Sequence, residues 1–245
     1  MKKDHVHINK LAVFLIAGLL LLTSCRDSFN KCLSGTGEPA TERRKMHSFR
    51  NIEVYDNIRL EIIQAEMHEV QISAGEKLIP MIRTRIENDV LLISNESICP
   101  LLKDQWKPVH VVVSLPELDT LLITTQAEVK FPESFRTDKM FVRVTESAAR
   151  VILNIEADFL QFGITDGTAD AVINGYCRKA FIYNGGYGPI DSRGFYPENL
   201  YLNSNSTNHI FARAGSDYTN VIITFTGNIY YTGETARLEY FRKGS

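Results

Sequence analysis

The sequence predicts an all-β chain: a β-solenoid whose stacked coils are about 20 residues long, following an N-terminal stretch of alternating strands. Three observations point there. From Phe49 onward apolar and polar residues alternate, as half-buried strands require. In the C-terminal half this alternation returns every 20 residues, so that Val142, Phe162, Ile182, Leu202 and Ile222 form one apolar column. Short corners separate the strands (Glu146-Ser147, Asp166-Gly167, Gly185-Gly186, Asn205-Ser206 and Thr226-Gly227), rich in residue types that turn the backbone at low cost.

The chain opens with a polar stretch carrying Lys2, Lys3 and Lys10, followed by Leu11 to Leu22, 12 unbroken apolar or small residues. That run is shorter than the ~20 residues a membrane-spanning helix needs. A basic start, a short apolar run and small residues after it describe a secretory signal peptide over residues 1–24. Leu22-Thr23-Ser24-Cys25 resembles the bacterial lipobox, with Cys25 as the lipid attachment site. Several acyl chains on one cysteine meet the two-signal requirement for stable anchoring. Arg26 rather than Asp after the cysteine resembles outer-membrane sorting, so the expected address is an outer-membrane lipoprotein of the cell envelope. Residues 25–48, from the lipidated cysteine to the first strand, lack apolar periodicity and read as a flexible tether, with Glu42-Arg43-Arg44-Lys45 solvated.

Residues 49–115 form the N-terminal β region. Ile52 and Val54 alternate, then Ile58, Leu60 and Ile62, then Val70 and Ile72; Val90 to Ile93 and Val109 to Val113 are further strands. Lys77 to Arg85 is interrupted by Pro80, and Ile82 to Ile86 alternate again, against a helix. Residues 116–245 hold the coils. A second strand follows the first by about ten residues in each: Val151 to Leu153, Ala171 to Ile173, Ile190, His209 to Phe211, and Ile229 to Tyr231. A sandwich of hairpins would alternate too, but would not hold one register over five units.

Several segments resemble the putative auto-transporter adhesin family with a head GIN domain, found in Bacteroidetes lipoproteins. They are Ser34-Gly35-Thr36-Gly37, Phe49-x-x-Ile52-x-Val54, Ile58-x-Leu60-x-Ile62-x-Gln64, Val111-x-Val113-x-Leu115-Pro116-x-Leu118 and the closing Gly227-Asn228-Ile229-x-Tyr231-x-Gly233. The corners depart from that family's Gly-Ser-Gly, with Glu146-Ser147-Ala148 and Asn205-Ser206-Thr207 in its place. The resemblance implies a parallel, right-handed β-helix solenoid preceded by an N-terminal β region; it implies little chemistry, because fold does not settle function.

Composition narrows the function. The 245 residues are 44% hydrophobic and 23% charged, a globular balance, with a formal charge of −2. Removing residues 1–24 leaves 24 basic against 28 acidic side chains and no basic run, unsuited to nucleic acid. The four cysteines (Cys25, Cys32, Cys99 and Cys177) show no metal-site spacing, and no motif implies a cofactor. With Cys25 lipidated, at most one intrachain disulfide forms, its pairing open; Cys99 and Cys177 read best as free buried thiols. Glu146 and Asp166 fall on adjacent coils, about 4.8 Å apart by strand spacing, near the carboxylate separation of retaining glycosidases. No Lys, Arg or His joins them, so solvated corner acids are the better reading. Gly185-Gly186-Tyr187-Gly188-Pro189-Ile190-Asp191 nearly matches the calcium-binding nonapeptide, yet it occurs once and its Asp is displaced by one position. Alternation sends Phe141, Phe181 and Tyr201 outward, with Tyr183 and Tyr187 in the same coils. Such a strip is either covered by the N-terminal β region or meets a partner: a protein, a glycan or a second copy. The leading function is a lipid-anchored, non-enzymatic adhesin or interaction module; the alternative is a glycan-active or glycan-binding β-helix protein.

Overall fold

The computed structural model describes residues 35–97 and 109–243. Leu22, Thr23, Ser24 and Cys25 of the lipobox lie outside them, as do Cys32 and Cys99. The fold is a β-solenoid of about six turns. Its strands are β1 (Pro39–Lys45), β2 (Asn51–Asp56), β3 (Ile58–Gln64), β4 (Glu69–Gly75), β5 (Ile82–Glu87), β6 (Val90–Asn95), β7 (Val109–Leu115), β8 (Thr120–Thr125) and β9 (Val129–Lys130). After these come β10 (Phe135–Val144), β11 (Arg150–Ile164), β12 (Asp170–Asn184), β13 (Ile190–Ser204), β14 (Ile210–Arg213), β15 (Tyr218–Ile223), β16 (Ile229–Thr232) and β17 (Arg237–Arg242).

Two sides of the solenoid are stacks of parallel strands. The first runs β6, β2, β8, then the C-terminal parts of β10 to β13, then β15 and β17. The second runs β7, β3, β9, then the N-terminal parts of β11 to β13, then β14 and β16. An interior strand exchanges its backbone hydrogen bonds with the coils on either side, so no coil satisfies its own backbone. The apolar column is real: Val142, Phe162, Ile182 and Leu202 stand directly beside one another in successive strands and are at most 3% exposed. Its last expected member is corrected. Val221, not Ile222, pairs with Leu202, because this coil is one residue shorter; Ile222 stands beside Asn203 instead.

The corners explain their own composition. Ser147 and Gly167 bridge adjacent coils, and a Cβ on Gly167 would lie 2.3 Å from the Ser147 carbonyl oxygen, with φ at +81° besides. Further along, Ser206 Oγ donates to the Gly186 carbonyl at 2.5 Å. Small residues are needed where one coil's backbone crosses directly over the next.

The N-terminal region threads into the same stack. The coil of β2 and β3 has β6 and β7 on one flank and β8 and β9 on the other. The short connection from β7 to β8 therefore steps across an already placed coil. Pro80 lies in a single 3-10 turn, Ile79–Met81, and the chain leaves it as β5, paired antiparallel with β6. One part of the expected tether differs: Pro39–Lys45 is a strand, antiparallel to β4 over all seven residues. Arg44 fixes it, donating to the carbonyls of Ile82 (2.7 Å) and Ile79 (3.2 Å), to Thr84 Oγ1 (2.9 Å) and to Glu42 (2.6 Å). With both faces of this strand mostly solvated, no alternation marks it in the sequence.

Phe162 is fully buried in the middle of the column. Phe162→Ala should cost about 3–5 kcal/mol in denaturant unfolding, as for other buried Phe→Ala changes. A loss under ~1 kcal/mol would contradict in-register stacking at that position.

Candidate functional site

The outward face of the first side carries an aromatic ladder. Ring centroids run from Phe141 to Phe159 (5.6 Å), Phe159 to Phe181 (5.7 Å), Phe181 to Tyr201 (4.4 Å) and Tyr201 to Tyr218 (5.4 Å). Two outward columns build it: Phe141, Phe181 and Tyr201 share one with Gln161, and Phe159 and Tyr218 stand in the neighbouring one with Lys139, Lys179 and Asn199. Phe181 and Tyr201 lie nearly parallel, at 11°, so one face of each ring is spent on the other. Lys179 Nζ lies 5.2 Å from both of these ring centroids. At the foot, Tyr218 Oη donates to Glu239 at 2.6 Å, which pushes the phenol pKa up and holds the carboxylate below its usual range.

Beside the ladder the face is indented into a trough of about 640 Å³, bordered by Phe141, Phe181, Tyr183 and Tyr201. That volume is in the range of small-molecule clefts. Gly163 lines it, with Arg143 and Tyr183 as its neighbours across the strands. A Cβ at Gly163 would only touch Tyr183 at 3.7 Å, so the glycine leaves space that a side chain could fill without strain. Arg143 and Lys179 have no carboxylate ion-pair partner among the described residues. The surface is thus an apolar trough with cations beside it.

Of the residues expected at a partner surface, Phe141, Phe181, Tyr183 and Tyr201 come together here, and the N-terminal region does not bury them; Phe141 is 40% exposed. Tyr187 stands apart on a corner, its N–H donating to Gly167 at 2.7 Å and its side chain exposed. Phe159, Arg143 and Gly163 were not singled out from the sequence. Phe159 stands in the column of Lys139 and Lys179, so the 20-residue spacing carries no aromatic signal there; an outward glycine and a lone arginine carry none either.

The other candidate chemistry resolves into structure. Asp166 accepts from the backbone N–H of Glu146 and from Thr145 Oγ1 (3.2 Å), holding Glu146 in a left-handed corner at φ +48°. It is a corner brace. Asp191, at the end of the near-nonapeptide, is claimed by Arg193 at 2.6 Å, whose hydrogen bonds lower its pKa. Among the described residues no group of three His, Cys, Asp or Glu side chains is placed to hold a metal ion. No helix among them is long and apolar enough to cross a membrane.

Residues 48–235 match the family described as putative auto-transporter adhesin, head GIN domain. The chain belongs to that family. Solved structures repeat this head GIN fold. A putative adhesin from Bacteroides fragilis is similar with a TM-score of 0.76 at 15% identity, over 84% of this chain and 94% of that one. A putative adhesin from Parabacteroides distasonis has a TM-score of 0.69 at 18% identity, over 86% and 96%. A putative lipid binding protein from Parabacteroides distasonis has a TM-score of 0.65 at 16% identity, over 85% and 94%. No curated protein matches the sequence.

Cys177 is a free, buried thiol in the head GIN domain, and burial above all pushes its pKa up to about 11. It should therefore resist iodoacetamide at pH 8 in the folded protein and react after denaturation, read by mass spectrometry of its peptide. Fast labelling of the native protein would contradict its placement.

Proposed function

We propose that the protein is a lipid-anchored, non-enzymatic adhesin of the cell envelope, which presents the first side of its solenoid to a protein or glycan partner. The trough supports this reading most directly. An apolar depression of about 640 Å³ on an otherwise regular sheet face offers a shape that a flat solenoid wall lacks. With Arg143 and Lys179 beside it, the partner it suits presents apolar surface next to a negative group. Because one face each of Phe181 and Tyr201 is taken by the other, a partner contacts what the stack leaves open and the trough beside it. The anchor is Cys25 behind the signal segment, carrying the protein at the outer membrane.

Binding of the labelled protein to envelope fractions, matrix proteins and a glycan array tests the surface. Phe181→Ala and Tyr201→Ala should each weaken binding by about tenfold. Gly163→Ala, whose Cβ meets Tyr183 only at an ordinary 3.7 Å, and the bulkier Gly163→Val, which narrows the trough further, should weaken binding in that order. Binding that survives all of these overturns the trough as the adhesive face. For the anchor, Cys25→Ala should move the protein from the membrane to the soluble fraction and remove labelling by a fatty-acid probe; a wild-type protein that takes no label overturns it. Release of sugars from a polysaccharide panel would overturn the non-enzymatic reading.

A further inference from the structure

The trough runs along the solenoid instead of across it. Its lining comes from two neighbouring outward columns, one holding Phe141, Gln161, Phe181 and Tyr201, the other Arg143, Gly163, Tyr183 and Asn203. Between them the strands at buried Val142, Phe162, Ile182 and Leu202 form the floor. From β8 to β15 this path is about 24 Å long, at the ~4.8 Å spacing of adjacent strands. A channel so long, and exposed along Arg143, Gln161 and Asn203, fits a chain molecule better than a compact one.

Its chemistry narrows the occupant. No Asp or Glu lines the trough, whereas Arg143 does, and Lys179 stands beside it over the Phe181 and Tyr201 rings. The acids that continue its columns lie one coil outside, Glu53 beyond Leu122 and Glu239 beyond Asn220. Each is already engaged, Glu53 by Tyr55 and Glu239 by Tyr218 and Arg237. The Gln161 and Asn203 side chains are exposed and have no hydrogen-bond partner among the described residues. An amide sets a donor beside an acceptor, which suits neighbouring hydroxyls, since each of those can do both. The main chain of the floor is bonded to the coils on either side, so an extended peptide finds no free edge to pair with. A fatty acid would match the charge and the rings, but would desolvate those amides without giving them partners.

We propose that the trough holds an acidic polysaccharide laid along the solenoid axis, one sugar ring to a coil, with a uronic acid carboxylate at Arg143. This rests on the reading of the same face as the adhesive one. A β-linked sugar advances by close to one strand spacing, so successive rings meet equivalent positions of successive coils. The missing side chain at Gly163 leaves room for a ring, with Gln161 beside it in the same strand. The Arg143 guanidinium, which has no ion-pair partner among the described residues, presents the fork that a carboxylate fills with two hydrogen bonds. Phe141, Phe181 and Tyr201 meet the C–H side of the sugar rings, and Lys179 adds attraction for the negative chain.

Isothermal titration calorimetry of the full chain in detergent tests this with a β-1,4-linked glucuronate hexamer and cellohexaose, which share a backbone and differ in the carboxylate. The acidic hexamer should bind about tenfold more tightly or better. Arg143→Gln should remove that preference and leave the affinity for cellohexaose as it was. Gln161→Ala and Asn203→Ala, both at exposed positions, should each weaken both sugars by about three- to tenfold with the melting curve unchanged. No binding of the acidic hexamer at millimolar concentration overturns the proposal. So does equal affinity for the two sugars, a preference that survives Arg143→Gln, or displacement of the bound hexamer by polyglutamate or dodecanoate at equal charge. A sulfated cellohexaose that binds more tightly than the glucuronate overturns the carboxylate assignment. If the hexamer fails while Phe181→Ala and Tyr201→Ala still weaken attachment to envelope fractions or matrix proteins, the sugar assignment falls and the adhesive face stands. If those two variants attach as the wild type does, both fall.

Discussion

The structure depends on one constraint: backbone hydrogen bonds run from coil to coil, so a residue's neighbours are those one coil away and not those beside it in the chain. Core, surface and corners all inherit that geometry. Inward it brings Val142, Phe162, Ile182 and Leu202 into one buried line. Outward it brings Phe181 and Tyr201 into a stack. At the corners it forces one backbone close over another, where Gly167 has no room for a side chain. A single repeat length thus fixes packing, exposed face and turn chemistry together.

The same constraint separates what makes the fold from what makes the surface particular. Replacing one inward apolar residue by another of similar volume preserves the stack. The trough is different, because it includes a missing side chain: Gly163 stands in an outward column between Arg143 and Tyr183 and lines it. The ladder alone would be a smooth wall of rings, half occupied with one another. The indentation beside it, and the cations that find no carboxylate among the described residues, give the face its shape and its sign. At the N-terminal end the same logic is interrupted: β4 and β5 run antiparallel to the coil strands β7 and β6, which ends the parallel stack there.

Much of this is legible in the sequence, because a solenoid writes its contacts at constant spacing. The buried column could be read from Val142 to Leu202, and the outward phase of Phe141, Phe181 and Tyr201 followed from it. The column failed at Ile222, where a coil shortened by one residue shifts Val221 into line; a fixed ruler cannot see a one-residue slip. Strand β1 was hidden because Glu42, Arg43 and Lys45 are exposed and leave no apolar alternation, and its pairing with β4 rests on main-chain groups and on part-buried Arg44. The insertion of β2 and β3 between strands later in the chain left no trace either, since alternation tells which residues are inside and not which strand lies next. Of the trough, the rings were visible and the glycine was not, because an empty place has no hydrophobic signature.

Removing one whole coil tests the central claim most directly. Asn184 stands beside Ile164, so deleting residues 165–184 joins Ile164 to Gly185 at a place where the register closes on itself. The shortened protein should keep its β circular dichroism and unfold in one cooperative transition, whereas deleting only 165–174 should leave an unfolded chain. If both deletions fold alike, or both fail alike, coil-to-coil register is not what organises this protein.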